Sequence, residues 1–210
     1  MGISKSHASP GPTAQPPSSR PSKDWEQREQ KAFEADVERE ARSPHRTLIP
    51  RLKPDRARKL GITIPGEIDL IAIDSSQRRV FVVEAKTGHA ATDSDRLLYD
   101  IIDYHGFPAS GHERWEHFRP QRGTPYLPKL TKKADAINDQ LSALLSAYDL
   151  GPNIDGWTVH AMVVTPSPVP AAYVPQPVVQ FAIIDDLAQI LADPDTLGPG
   201  PSLRLAAGSA

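Results

Sequence analysis

The sequence predicts an α/β domain in which a mixed sheet is flanked by helices, and three observations predict it. Two apolar runs of strand length, 67–73 and 80–86, are joined by a polar turn. Stripes of helical period cover 23–42, 92–105 and 129–148, and two more apolar runs follow at 157–164 and 178–184. The chain of 210 residues is long enough for one well-buried domain, expected at 23–192. Its net charge is −2 and its pI about 6.4, so no global basic field marks a nucleic-acid binder. The absence of cysteine excludes disulfides, thiolate zinc sites and cysteine nucleophiles. No apolar run approaches the ~18 residues of a membrane span, and the start lacks a signal-peptide core, so a soluble, cytoplasmic protein is expected.

Residues 1–22 hold five prolines and six serines and read as a disordered tail. From Lys23 to Arg42 one amphipathic helix carries Phe33, Val37 and Ala41 four residues apart behind Trp25, and Ser43-Pro44 ends it. Between His45 and Leu60 the cations Arg46, Arg51, Lys53, Arg56, Arg58 and Lys59 stand against a single Asp55. This stretch reads as a loop that is either a phosphate-gripping patch or simply solvated. Gly61 to Gly66 has two glycines at phosphate-loop spacing, but Glu67 replaces the required lysine.

After the hairpin, Thr92–His105 reads as a helix opened by a Thr92/Asp95 capping box and stopped by Gly106. Residues 106–128 read as a long loop over the site. Its His112 and His117 differ from a zinc-protease pair by one residue, and about 140° of helix would separate them. Trp115, Phe118 and Tyr126 among Arg114, Arg119 and Arg122 could stack on unpaired bases or pin the loop. From Lys129 to Tyr148 a helix buries a stripe from Leu130 to Leu145 and turns Lys132, Lys133, Asn138 and Gln140 outward. Two strands then flank a Pro-rich connection, and Asp185-Asp186 caps a short helix closed by Pro194. The tail 193–210 reads as disordered.

The hairpin carries the chemistry. Alternation puts Glu67 and Asp69 on one face of the first strand, and Glu84 and Lys86 on one face of the second. A two-residue loop at Ser76-Gln77 would set Asp69 directly opposite Glu84. Paired carboxylates repel and raise each other's pKa, and a bound divalent cation removes the conflict. Oxygen ligands suit Mg²⁺ or Mn²⁺.

Glu-x-Asp, a hairpin, then Glu84-Ala85-Lys86 resembles the PD-(D/E)xK nuclease superfamily. The wording Gly66-Glu67-Ile68-Asp69-Leu70-Ile71-Ala72 with Val80 to Lys86 looks most like its nuclease-related (NERD) and Mrr-like branch, and like small bacterial proteins expected to share that fold. The resemblance implies a restriction-endonuclease-like sheet and a metal-dependent endonuclease acting on nucleic acid, DNA before RNA. It implies one Mg²⁺ or Mn²⁺ held by Asp69, Glu84 and the Ala85 carbonyl, with Lys86 orienting the attacking water. Phe33-Glu34 followed by Val37 is similar to the opening helix of Mrr-like nucleases, which makes Glu34 a candidate for the metal site and Glu38 its fallback. Glu34 or Glu67 would complete the metal shell through water. A polar residue of the later helix would sit near the phosphate. Alternatives remain: a surface ion pair at two wetted strand ends, a silent module binding nucleic acid or a protein, or a nuclease toxin or defence effector. A homodimer is left open, since cutting both strands of a duplex favours two sites.

Overall fold

A computed structural model of the chain describes residues 23–87, 94–106, 124–174 and 179–193. The elements run α1 (Lys23–Glu40), β1 (Arg46–Leu52), α2 (Pro54–Lys59), β2 (Ile68–Asp74), β3 (Arg79–Ala85), α3 (Ser94–His105), α4 (Tyr126–Asp139), α5 (Leu141–Ala147), β4 (Thr158–Thr165), β5 (Val179–Ile183) and α6 (Leu187–Ala192). Short 3₁₀ turns at Pro170–Tyr173 and Ile184–Asp186 flank β5. All five strands form one sheet in chain order. The pairs β1–β2 and β2–β3 are antiparallel, whereas β3–β4 and β4–β5 are parallel, so the sheet is mixed.

Alternation along the strands feeds two cores. On one face Ile71, Ile73, Val80, Val82, Ala161 and Val163 pack with Leu130, Ala134 and Ile137 of α4 and Leu141, Leu144 and Leu145 of α5. On the other, Leu70, Ala72, Phe81, Val83, Met162 and Val164 pack with Phe33, Val37 and Ala41 of the first helical segment and with Leu187, Ile190 and Leu191 of α6. The β2–β3 register matches the expected one, with Leu70 opposite Val83 and Asp74 opposite Arg79. The loop is four residues rather than two, and the extra pair adds one residue to each side, which preserves the register. Asp74 Oδ1 organises it by accepting from the Ser76 and Gln77 N–H groups, each at 3.1 Å, and from Ser76 Oγ at 2.6 Å.

Three expectations change. The basic stretch 45–60 is not a loop but an edge strand and a short helix with Pro54 in its first turn. Pro50 is tolerated within β1 because an edge strand needs partners on one side only. The helix expected over 129–148 begins earlier, at Tyr126, and breaks at Gln140, whose side chain donates to Thr63 O at 2.8 Å and accepts from Thr63 N–H at 2.7 Å. That pair of hydrogen bonds ties the break to Thr63. The short helix after β5 starts with a 3₁₀ turn, and Asp186 makes no side-chain cap bond. Both expected tails beyond 23–193, the Thr92/Asp95 box, the His112/His117 pair and the loop aromatics and arginines other than Tyr126 lie outside the described residues or side chains. Among the described residues no helix is long and apolar enough to cross a membrane.

Candidate active site at the end of the hairpin

The site forms where the β2–β3 ladder opens. Beyond the Leu70–Val83 pair, the Asp69 carboxylate takes over from the backbone, its Oδ2 accepting the Ala85 N–H at 2.9 Å. Lys86 N–H donates to Val164 O at 2.9 Å, which keeps the end of β3 attached to β4. The backbone carrying Glu84, Ala85 and Lys86 is thus held from both sides.

Glu84 is 13% exposed and each of its oxygens meets an ammonium: Oε1 lies 2.9 Å from Lys86 Nζ and Oε2 lies 2.7 Å from Lys133 Nζ. Burial pushes Glu84 up, but the two lysines outweigh it and hold the carboxyl below its usual range. Burial likewise pulls Lys86 down, and Glu84 more than reverses that, so Lys86 stays protonated. Asp69 has no such pair of cations. Its burial, and next the charge of Glu84, raise it to about 6 against the pull of the Ala85 N–H and Lys86.

Helix α1 closes one side. Gln30 Nε2 donates to Ala85 O at 2.8 Å and to Glu34 Oε1 at 3.1 Å, while its Oε1 accepts from Thr87 Oγ1 at 3.0 Å and Thr87 N–H at 3.3 Å. Arg51 Nε donates to Glu67 Oε1 at 3.1 Å and stands 3.9 Å from Glu34 Oε2. Arg51 adopts φ +47°, rare outside glycine, and the β1–β2 pairing skips it. Strain of roughly 1–3 kcal/mol accompanies an arginine turned towards two acids. Four carboxylates (Glu34, Glu67, Asp69, Glu84) share the site with three cations bonded among them (Arg51, Lys86, Lys133).

The structure therefore gathers Glu34, Glu67, Asp69, Glu84, Ala85 and Lys86, and adds Arg51 from the basic stretch. It does not gather the rest of that stretch. Arg46 is buried against Asp74, Arg56 donates to Pro50 O, Arg58 pairs with Asp55, and Lys53 and Lys59 are exposed. Glu38 pairs with exposed Arg42 instead. Of the polar set on the later helices, Lys133 enters the site, whereas Gln140 is committed to Thr63. Gln30 was missed by sequence reasoning, although its place one helical turn before Glu34 was the available signal.

The donor set admits a hard dication. Among the described residues no three Asp, Glu or His side chains gather to hold a metal by themselves. Two carboxylates and one carbonyl suffice for Mg²⁺, which keeps waters and substrate phosphates as its remaining ligands. Carbonyl and carboxylate oxygens each offer two lone pairs, so the bonds from Gln30, Lys86 and Lys133 do not exhaust them. The raised Asp69 is what a bound cation would relieve. Comparison with protein-family models, curated proteins and solved structures finds no match to the chain.

Proposed function

We propose that the protein is a metal-dependent nuclease that hydrolyses phosphodiester bonds of nucleic acid, DNA before RNA, on a restriction-endonuclease-like sheet. The observation that carries this reading is the convergence of Asp69 and Glu84 from neighbouring strands just beyond the last β2–β3 pair, close enough for the charge of Glu84 to raise Asp69, with Lys86 bonded to Glu84. Asp69, Glu84 and the Ala85 carbonyl would hold Mg²⁺ or Mn²⁺, which when bound supplies Lewis-acid polarisation of the scissile phosphate and a lowered pKa for water. Lys86 orients the attacking water and faces the negative charge that develops on the phosphate. Lys133 holds Glu84 from the other side, and Gln30 fixes the Ala85 carbonyl. Glu34 and Glu67 act through water, their orientation set by Arg51.

The test is incubation with supercoiled plasmid, single-stranded DNA and RNA, in Mg²⁺, Mn²⁺ or EDTA, beside a Glu84→Ala/Lys86→Ala control. Cleavage that needs metal and vanishes in the control is expected. One observation favours a silent binding module instead: both oxygens of Glu84 and the Ala85 carbonyl already have protein partners. No cleavage, together with no Mn²⁺ binding by calorimetry, would select that module.

Asp69→Asn separates the metal's role from the fold's. Asparagine can still accept the Ala85 N–H but removes a buried charge. Because the folded pKa of Asp69 lies above its unfolded value of about 4, ionisation penalises the fold increasingly as pH rises from about 4 to 6 and fully above that. The variant is therefore expected to gain stability at pH 8 in EDTA, on the order of 2–3 kcal/mol at most, and to gain nothing at pH 4. It should also lose the rise in Tm that Mn²⁺ gives the wild type. A variant less stable than wild type at pH 8 would contradict the assigned burial cost.

A further inference from the structure

Three aromatic rings run from the sheet to the site. Phe181 of β5 meets Tyr104 of α3 at 5.6 Å between ring centroids, and Tyr104 meets Tyr126 at 5.5 Å, both pairs tilted by 57°. Tyr104 is buried, and that burial holds its phenol well above the usual range, so it is a neutral plank at working pH. Tyr126 is the outer end of the row and is 37% exposed. Lys86 Nζ lies 4.7 Å from its ring centroid and Lys129 Nζ 5.8 Å. Tyr126, Lys129 and Lys133 recur at three and four residues, so they share one stripe of α4, and the last of them reaches Glu84.

An aromatic ring packed on Tyr104, which Phe181 backs in turn, more than a third exposed and with two ammonium groups over it, has a definite complement. It suits a flat π surface joined to a negative charge, which is a nucleotide. Bases within a duplex have both faces covered by their neighbours and must be unstacked first, whereas an unpaired base presents its face at no such cost. We propose that Tyr126 is a stacking platform for an unpaired base beside the reacting phosphate, with Lys129 meeting the adjoining backbone. The word "reacting" rests on the nuclease reading, but the platform itself does not. The substrate class is then single-stranded or frayed nucleic acid rather than intact duplex.

The test is binding by fluorescence anisotropy, with Ca²⁺ replacing Mg²⁺, of an oligothymidylate, an abasic oligomer of equal length and a blunt duplex. Wild type is expected to bind the oligothymidylate roughly 10- to 100-fold more tightly than the abasic oligomer, and more tightly than the duplex. Tyr126→Phe should keep that ratio. Tyr126→Leu should bring the oligothymidylate down to the abasic level while leaving the abasic affinity unchanged. If Leu weakens both oligomers equally, the ring merely supports Lys86 and the platform is overturned. It is overturned as well if wild type binds the duplex as tightly as the single strand, or binds none of the three. Wild type that shows the expected ratios yet cuts no substrate in Mg²⁺ would remove the nuclease reading and leave the platform standing.

Discussion

Lys86→Met is expected to slow phosphodiester cleavage by roughly 10²- to 10³-fold while leaving divalent-cation binding in place. The argument is one of charge location. Two ammonium groups touch Glu84, but they differ in setting: Lys86 sits at the open end of the ladder against the exposed Tyr126, whereas Lys133 is 13% exposed and turned to the other carboxylate oxygen. Lys86 is the more exposed of the two, at 24%. Methionine preserves the length of the side chain and its packing on Tyr126 but removes the donor. Because the Lys86 ammonium repels a dication, losing it makes the site more attractive to one rather than less. Lys133→Met should cost less turnover, and should loosen Glu84. The decisive measurement is single-turnover cleavage of the three proteins alongside Mn²⁺ titration by calorimetry. Lys86→Met cutting as fast as wild type would sink the assignment, and a dead Lys133→Met beside a live Lys86→Met would exchange the two roles.

What the sequence displays of this site is what lies within one hairpin. Register followed from apolar alternation and a polar turn symmetric about Ser76-Gln77, and a loop of two or of four residues gives the same register, although the ladder ends at Leu70–Val83, one step short of Asp69 and Glu84. The missing strand β1 is harder to read for a physical reason. It is an edge strand carrying Pro50 and two arginines, so its composition answers to solvent on one side and to the site at its end, and alternation is blurred. The break at Gln140 leaves no local trace, because the leucine stripe continues through it and its cause is a bond to Thr63 far away in sequence. Lys133 was legible as a polar position on its helix, but its contact with Glu84 depends on how α4 lies across the sheet. Charge counts mislead most where they are taken as exposure. The basic stretch before the hairpin contains one cation for the fold, one for the site and others bound to their own neighbours.

Arg46→Met shows the consequence, with an expected loss of about 3–5 kcal/mol of stability. Arg46 and Asp74 are 6% and 4% exposed, and their bond of 3.1 Å joins the start of β1 to the end of β2. Arg46 Nη1 also reaches Ala41 O at 3.4 Å, tying the strand to the end of the first helical segment. Methionine fills the space but leaves a buried carboxylate facing an apolar group. Burial pushes Asp74 up, but its bonds from Ser76, Gln77 and Arg46 outweigh that and hold it below the usual range. Its stabilising share is therefore complete above its unfolded value of about 4 and is lost as pH falls through the lower folded value. For a chain of this size the loss corresponds to a fall in Tm of roughly 6–20 °C, read by thermal denaturation at neutral pH. Adding Asp74→Asn should recover part of it, since asparagine can still accept from the Ser76-Gln77 turn while the unpaired charge is gone. Nucleic-acid affinity measured well below the lowered Tm should not change. If instead Arg46→Met melts like wild type and binds nucleic acid more weakly, Arg46 serves the phosphate backbone and the ion pair contributes little to the fold.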